Sequence, residues 1–183
     1  MLSLTKILVG SVFAAVSMAG GSGDPLKIKP VQTMAGGDSM VHYPMVRMIS
    51  NEKAWRELWA LHKGLAQYLS APDTAAVDKA LKLPPVEFEK NQVMVVLGGK
   101  LDNVQAYEYV KTFDKDGAAV VELAQKFIPP TSASTTMYPF IMLVIPKEQV
   151  KIQVDLDSVA KNGTHYWQTI QNFPIPKQTK PSG

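Results

Sequence analysis

The stretch QVMVVL at residues 92–97 decides the fold class of this chain, because a continuous apolar run follows Gln92 and is closed by Gly98 and Gly99. A short apolar run bounded by turn residues is typical of a strand that is buried on both faces. The run therefore predicts the central strand of a sheet. It also marks the point where the sequence changes from a helical period to a strand period.

Downstream of this strand the chain keeps a strand-like pattern. Residues 104–113 alternate loosely, and residues 118–123 form a return strand after the hairpin signal DKDG at 114–117, where Gly117 can take a positive φ. Two further runs, 138–146 and 150–156, are rich in apolar residues and alternate in the second case. We expect these runs to form antiparallel strands.

Upstream, the sequence predicts two helices. Ser50 or Asn51 can cap the first helix, and its apolar residues recur at spacings of three and four through residue 69. Trp55 and Trp59 lie one turn apart on this stripe, and we interpret them as core residues because large aromatic side chains dominate core burial.

A second, weaker helix is predicted at residues 74–83, ended by Pro84 and Pro85. Two helices followed by a run of strands indicate an α+β fold. We expect a mostly antiparallel sheet with the two helices of the N-terminal half packed on one of its faces.

The N-terminal residues 1–19 have the pattern of a secretory signal peptide. A single positive charge at Lys6 precedes an apolar run, and small residues lead to a cleavage point after Ala19. The run is shorter than the ~20 residues that a membrane-spanning helix needs. We therefore expect an exported protein, periplasmic or secreted, that has no contact with the membrane after cleavage.

The remaining chain divides by composition into three parts. Residues 20–40 are rich in glycine and proline and predict a linker, and residues 41–171 form a single α+β domain. Residues 172–183 are polar and proline-rich and predict a flexible tail. Pro44 interrupts the strand-like residues 40–49, which favours an edge strand or a bulge there.

Composition excludes several classes of protein. The chain has no cysteine, so it has no disulfide, no lipid-bearing cysteine and no thiolate zinc site. Its formal net charge of +3 falls by one to +2 when Lys6 leaves with the signal peptide. Basic and acidic residues are interspersed, which is not the charge pattern of a nucleic-acid-binding protein.

The sequence also gives no catalytic, cofactor or metal site. Gly98-Gly99-Lys100 follows a strand but matches no nucleotide-binding loop. His42, His62 and His165 are far apart, without a second ligand at metal-binding spacing. The hydroxyl-rich residues 131–136 have no general base nearby and are interpreted as a loop. We expect no cofactor, no metal and no catalytic residue.

Three segments resemble one family. They are PVEFEKNQVMVVLGGK at residues 85–100, YEYV at 107–110 and YPFIMLVIPK at 138–147. Their strand-and-turn pattern is similar to the PrcB family, whose name denotes an accessory subunit of an exported bacterial protease complex. The resemblance covers about Pro84–Lys147, with Ala106 where that family has glycine. It implies a non-catalytic, protease-associated or protein-binding module without a cofactor.

These observations lead to one main hypothesis. We expect an exported, non-catalytic protein-binding module, an accessory to or an inhibitor of an exported peptidase. The predicted contacts lie on the loops at 98–107 and 131–140, because aromatic residues near loop tips are favoured interface anchors. The residues are Gly98, Gly99, Tyr107, Tyr138 and Phe140.

Three alternatives stay open. A partner can instead add a strand at the edge marked by Pro44. A small ligand can bind in an exposed aromatic cleft that uses Trp55, Trp59 or Trp167. A hydrolase site can be assembled across the fold from the three histidines and dispersed acidic residues. The oligomeric state does not follow from the sequence.

Overall fold

The computed structural model describes residues 28–70, 74–129, 134–148, 150–159 and 164–175. The strands are β1 (Gln32–Gly36), β2 (Pro44–Ile49), β3 (Asn91–Gly98), β4 (Leu101–Asp102), β5 (Val104–Lys115), β6 (Ala118–Phe127), β7 (Thr136–Met137), β8 (Phe140–Pro146), β9 (Lys151–Val159) and β10 (His165–Phe173). The helices are α1 (Glu52–His62) and α2 (Thr74–Leu81), with a 3-10 helix at Ala66–Ser70 between them. The predicted signal peptide at residues 1–19 lies outside the described residues.

The first sheet contains four antiparallel strands in the order β1-β8-β3-β2. Its two middle strands, β3 and β8, are buried on both faces, as the apolar run at 92–97 predicted. Alternate side chains of β3 point to opposite sides, so Val93 and Val95 join one core cluster while Met94 and Val96 join another.

The second sheet has the strand order β10-β9-β6-β5. The predicted hairpin joins β5 to β6, and its turn places Asp116 and Gly117 at positive φ. The β6 and β9 strands run parallel, whereas the other neighbours in this sheet are antiparallel. The α+β class with mostly antiparallel strands is therefore confirmed, although the strands form two four-stranded sheets and a short β4–β7 pair.

Three layers result from this arrangement. One core cluster lies between α1 and the first sheet, and the other lies between the two sheets. Both tryptophans of α1 donate their indole N–H groups to backbone carbonyl oxygens near the end of α2. Trp59 donates to Leu81, the last residue of α2, at 2.9 Å, and Trp55 donates to Pro84, three residues further on, at 3.0 Å. The interpretation of the two tryptophans as core residues is confirmed by their burial.

Helix α1 begins and ends for local reasons. The Asn51 side chain accepts the Ala54 N–H at 2.9 Å, which satisfies one free amide of the first turn. The helix ends at His62, and Gly64 follows at φ +68°. The apolar stripe had predicted a longer helix, because the 3-10 helix that follows keeps a similar spacing of apolar residues.

Four boundaries differ from the prediction. Strand β1 lies inside the stretch 20–40 that was predicted as a linker, because Gln32–Gly36 pairs with β8. Residues 40–43 precede the strand that begins at Pro44. Strand β10 was not predicted, and it runs to Phe173, two residues into the predicted tail. Residues 176–183 of that tail lie outside the described residues.

None of the described helices is long and apolar enough to cross a membrane.

Candidate functional site

Four of the five predicted contact residues lie at one end of the first sheet, where β3 ends and β8 begins, and Tyr107 of β5 in the second sheet packs its hydroxyl against Gly98. Gly98 donates its N–H to the Pro139 carbonyl oxygen at 2.8 Å. This hydrogen bond holds the residue before Phe140 against the end of β3. Gly99 has φ +67°, and a Cβ atom there would lie 2.8 Å from the Pro44 nitrogen. The backbone at Gly99 therefore packs directly against the start of β2.

Two of these residues, Tyr107 and Phe140, are buried. Tyr107 is 3% exposed in the core between the sheets, and Phe140 is 5% exposed in the core beneath α1. The Phe140 ring meets His62 edge-on at 4.3 Å between centroids. Burial raises the pKa of Tyr107 to about 12. Both side chains support the neighbouring loops and offer almost no area to a partner.

Tyr138 and the loop ahead of β2 form the exposed part of this end. The Tyr138 ring is half-buried and stacks on exposed His42 at 4.3 Å between centroids. Beside it, Met40 is 57% exposed and Tyr43 is 55% exposed. We call residues 40–43 the entry loop, because it leads directly into strand β2.

Among the described residues, strand β2 is an edge of the first sheet that pairs with β3 alone, and β10 of the second sheet contacts it. Strand β2 pairs with β3 without a bulge from Pro44 to Ile49. At the same side of the second sheet, β10 is bulged between Thr169 and Gln171. An edge strand presents unpaired backbone N–H and C=O groups along its free side. Pro44, which lacks an N–H, stands at its first position and leaves the following residues able to pair.

The opposite side of the molecule is closed. There β1 packs against β5, and a Cβ atom at Gly37 would overlap the carbonyl oxygen of Gln105. Strand β5 carries two register shifts, at Val104/Ala106 and at Tyr109/Lys111. Bulges of this kind protect a sheet edge from pairing with another chain.

Next to β2 the core between the sheets is only partly covered. Val46 and Met48 of β2 and Ile170 and Phe173 of β10 are partly buried residues at the rim of that core. Two clefts lie between the strands, one of about 390 Å³ beside Val46 and Ile170 and one of about 240 Å³ beside Met48 and Phe173. We call the two clefts together the β2 groove. Its rim is apolar surface that remains available for burial.

One charged residue stands on β2. Arg47 is exposed and lies between the two groove residues Val46 and Met48. It forms no ion pair within 4.0 Å among the described residues. An edge strand with one unpaired cation between two apolar side chains can offer both hydrophobic burial and a charge to a partner strand.

The three histidines have different surroundings. Burial is the main cause that lowers the pKa of His62 to about 4, and the charge of Lys63 adds to it. His165 is exposed on β10, with its Nδ1 2.9 Å from Asp157 Oδ2. In the parts of the chain that the structure describes, no three histidine or acidic side chains are placed to hold a metal ion.

Ser39 and His62 lie within hydrogen-bond distance of each other, as the nucleophile and the general base of a serine hydrolase would. The Ser39 Oγ lies 3.0 Å from His62 Nδ1 and also accepts the Val41 N–H at 3.2 Å. Ser39 is 1% exposed and His62 is fully buried, so a substrate carbonyl cannot reach the hydroxyl in this conformation. The pair holds the entry loop against the end of α1.

The tryptophans do not form one aromatic cleft. Trp55 and Trp59 are buried in the core between α1 and the first sheet, whereas Trp167 is half-exposed on β10 of the second sheet. The small-ligand alternative named Trp55, Trp59 or Trp167, and burial leaves Trp167 as the member of this set that a ligand could reach.

Comparison of the chain with protein-family models, with curated proteins and with solved structures gave no match. The site is therefore interpreted from its own geometry. The sequence had indicated one part of it, since Pro44 marked an edge, but not the groove. The groove depends on Ile170 and Phe173 of an unpredicted strand, so no local pattern in the sequence identified it.

Proposed function

We propose that this protein is a protein-binding module that takes up an extended segment of its partner along strand β2. The observation that carries the proposal is the combination of a regular, unpaired sheet edge with the partly covered apolar rim of the β2 groove. A partner strand would satisfy the free backbone groups of β2 and cover this rim at the same time.

The energetic basis is the apolar surface that such a segment would remove from water. Each side chain that enters the groove contributes about 25 cal/mol for every Å² of apolar area buried. The backbone hydrogen bonds add affinity that does not depend on the partner's sequence, whereas the groove adds selectivity. The side chains of Met40 and Tyr43 in the entry loop, just ahead of β2, are also exposed.

We further propose that the module is exported and serves an exported peptidase as an accessory or an inhibitor. The signal-like residues 1–19 and the resemblance of Pro84–Lys147 to the PrcB family support this part of the proposal. An inhibitor or accessory that adds a strand to a peptidase needs no catalytic group of its own, which is consistent with the inaccessible Ser39–His62 pair.

The experiment is a pull-down with the mature chain, beginning at Gly20, as bait in periplasmic and culture-supernatant extracts of the native host. Met48→Asp places a charge in the groove, whereas Val31→Asp places one at an exposed position outside it. We expect a partner that the wild type and Val31→Asp retain and that Met48→Asp loses, with circular dichroism showing that both variants are folded. Equal retention by folded Met48→Asp would contradict the proposal.

A further inference from the structure

We infer that the segment bound along β2 presents an acidic residue between two apolar residues, in the alternating order apolar–acidic–apolar. This inference rests on the proposed function and adds the chemistry of the partner. It follows from the order of side chains on β2, where Arg47 stands between Val46 and Met48.

The two apolar positions follow from the groove. Val46 and Met48 point to the core between the sheets, and each borders one of the two clefts. Residues two apart on an added strand point to the same face, about 6.8 Å from one another. Alternate side chains of a partner strand can therefore enter the two clefts in turn.

The acidic position follows from Arg47. Side chains of an edge strand alternate, so Arg47 points to the face opposite Val46 and Met48. The partner residue between the two groove-filling residues points to this same face, and directly opposed residues have Cβ atoms about 4.5–5.5 Å apart. Arg47 has no ion-pair partner among the described residues, and β2 has no acidic residue that would compete.

The same charge disfavours a second copy of this chain as the occupant. A symmetric antiparallel pair of β2 strands centred near Arg47 would bring the two Arg47 side chains together on one face. Like charges placed opposite each other destabilise a strand pair. Since β2 has no acidic residue, the copy could not supply the compensating charge. A different protein with a carboxylate at this position fits better.

The test uses two capped peptides, Thr-Val-Glu-Val-Thr and Thr-Val-Lys-Val-Thr, added to the ¹⁵N-labelled mature chain and followed by NMR titration. We expect shifts at β2 and β10 residues and a dissociation constant roughly fivefold lower for the glutamate peptide, as one favourable cross-strand charge pair allows. Arg47→Glu should invert the preference, and Arg47→Ala should remove it. Arg47 is exposed, so both variants are expected to fold, and their spectra check this.

Each contrary outcome overturns the inference in a recognisable way. Equal affinity of the two peptides at β2 removes the role of the acidic residue but leaves the proposed edge in place. If Arg47→Glu still prefers the glutamate peptide, a residue other than Arg47 causes the preference. If neither peptide shifts β2 signals, the inference fails, and crosslinking of a native partner at β2 then decides whether the proposed function fails with it. A dimer that dissociates in Met48→Asp would make a second copy the occupant.

Discussion

Arg47 of β2 lies directly opposite Val95 of β3 in the antiparallel ladder, and the two residues differ completely in exposure. Val95 is fully buried beneath α1, whereas Arg47 is exposed on the same sheet, one strand further out. On this face the core reaches β2 at Ile49, which is 6% exposed, but leaves Arg47 in solvent. Among the described residues, the other side of β2 pairs with no strand.

The contact between Gly99 and the start of β2 should be sensitive to a single methyl group. In Gly99→Ala the new Cβ atom would lie 2.8 Å from the Pro44 nitrogen. The alanine would also have to keep the backbone angle φ +67° of the glycine that it replaces. We expect a loss of about 2–4 kcal/mol in the free energy of unfolding, from left-handed strain and overpacking together. Urea denaturation measures it.

Gly117 provides the matched control, because it has φ +76° but nothing within 4 Å of its would-be Cβ atom. Gly117→Ala should therefore cost only the conformational strain, about 1–2 kcal/mol. If the two variants lose the same stability, the close packing of Gly99 against Pro44 does not contribute, and the account of how β2 is positioned is wrong.

Tyr107 and Phe140 should affect stability before they affect binding. Each is buried in a different core cluster, so Tyr107→Ala and Phe140→Ala should each lower the free energy of unfolding by about 3–5 kcal/mol. Partner capture by these variants should then fall in parallel with the folded fraction. A folded, fully stable Phe140→Ala that no longer binds would instead make Phe140 a direct contact.

Stability should fall with acidification because of His62. Burial, reinforced by the charge of Lys63, lowers the pKa of His62 from 6.5 to about 4, so the unfolded chain binds a proton at pH values where the folded protein does not. Stability is therefore unaffected by this group above pH 6.5 and decreases as the pH falls from 6.5 towards 4. The decrease from this group is at most about 3 kcal/mol.

Urea denaturation of wild type and His62→Gln at several pH values isolates this effect, because the exposed His42 and His165 are common to both chains. The variant should lose less stability than the wild type between pH 6.5 and pH 4.5. Parallel pH profiles of the two proteins would show that the His62 ring is not kept neutral by its burial.

The local sequence predicted those parts of the fold whose residues carry their own signal. The run at 92–97 identifies β3 because both of its faces are apolar, and Asn51 with the tryptophan stripe identifies α1. Strand β10 escaped prediction because residues 165–173 mix polar and apolar side chains with a bulge that interrupts their alternation. The role of its apolar residues Ile170 and Phe173 is defined only by the tertiary fold, which places them near β2 at the core between the two sheets.

The candidate site could be predicted only in part for a related reason. Pro44 signals an edge by its missing N–H, but which edges are closed depends on how the sheets stack, and that is a long-range property. Likewise, the aromatic residues Tyr107 and Phe140 lie near loops in the sequence, yet their burial depends on packing partners such as His62, far away along the chain.

Site-specific photo-crosslinking tests the central claim most directly. A benzophenone amino acid would replace Arg47 on the β2 edge or, as the control, Val110 at the bulged edge of β5, which is 46% exposed. After irradiation in host extract, we predict a covalent adduct with the partner from position 47 and none from position 110. An adduct from position 110 and none from position 47, with both proteins folded, would contradict strand addition at β2.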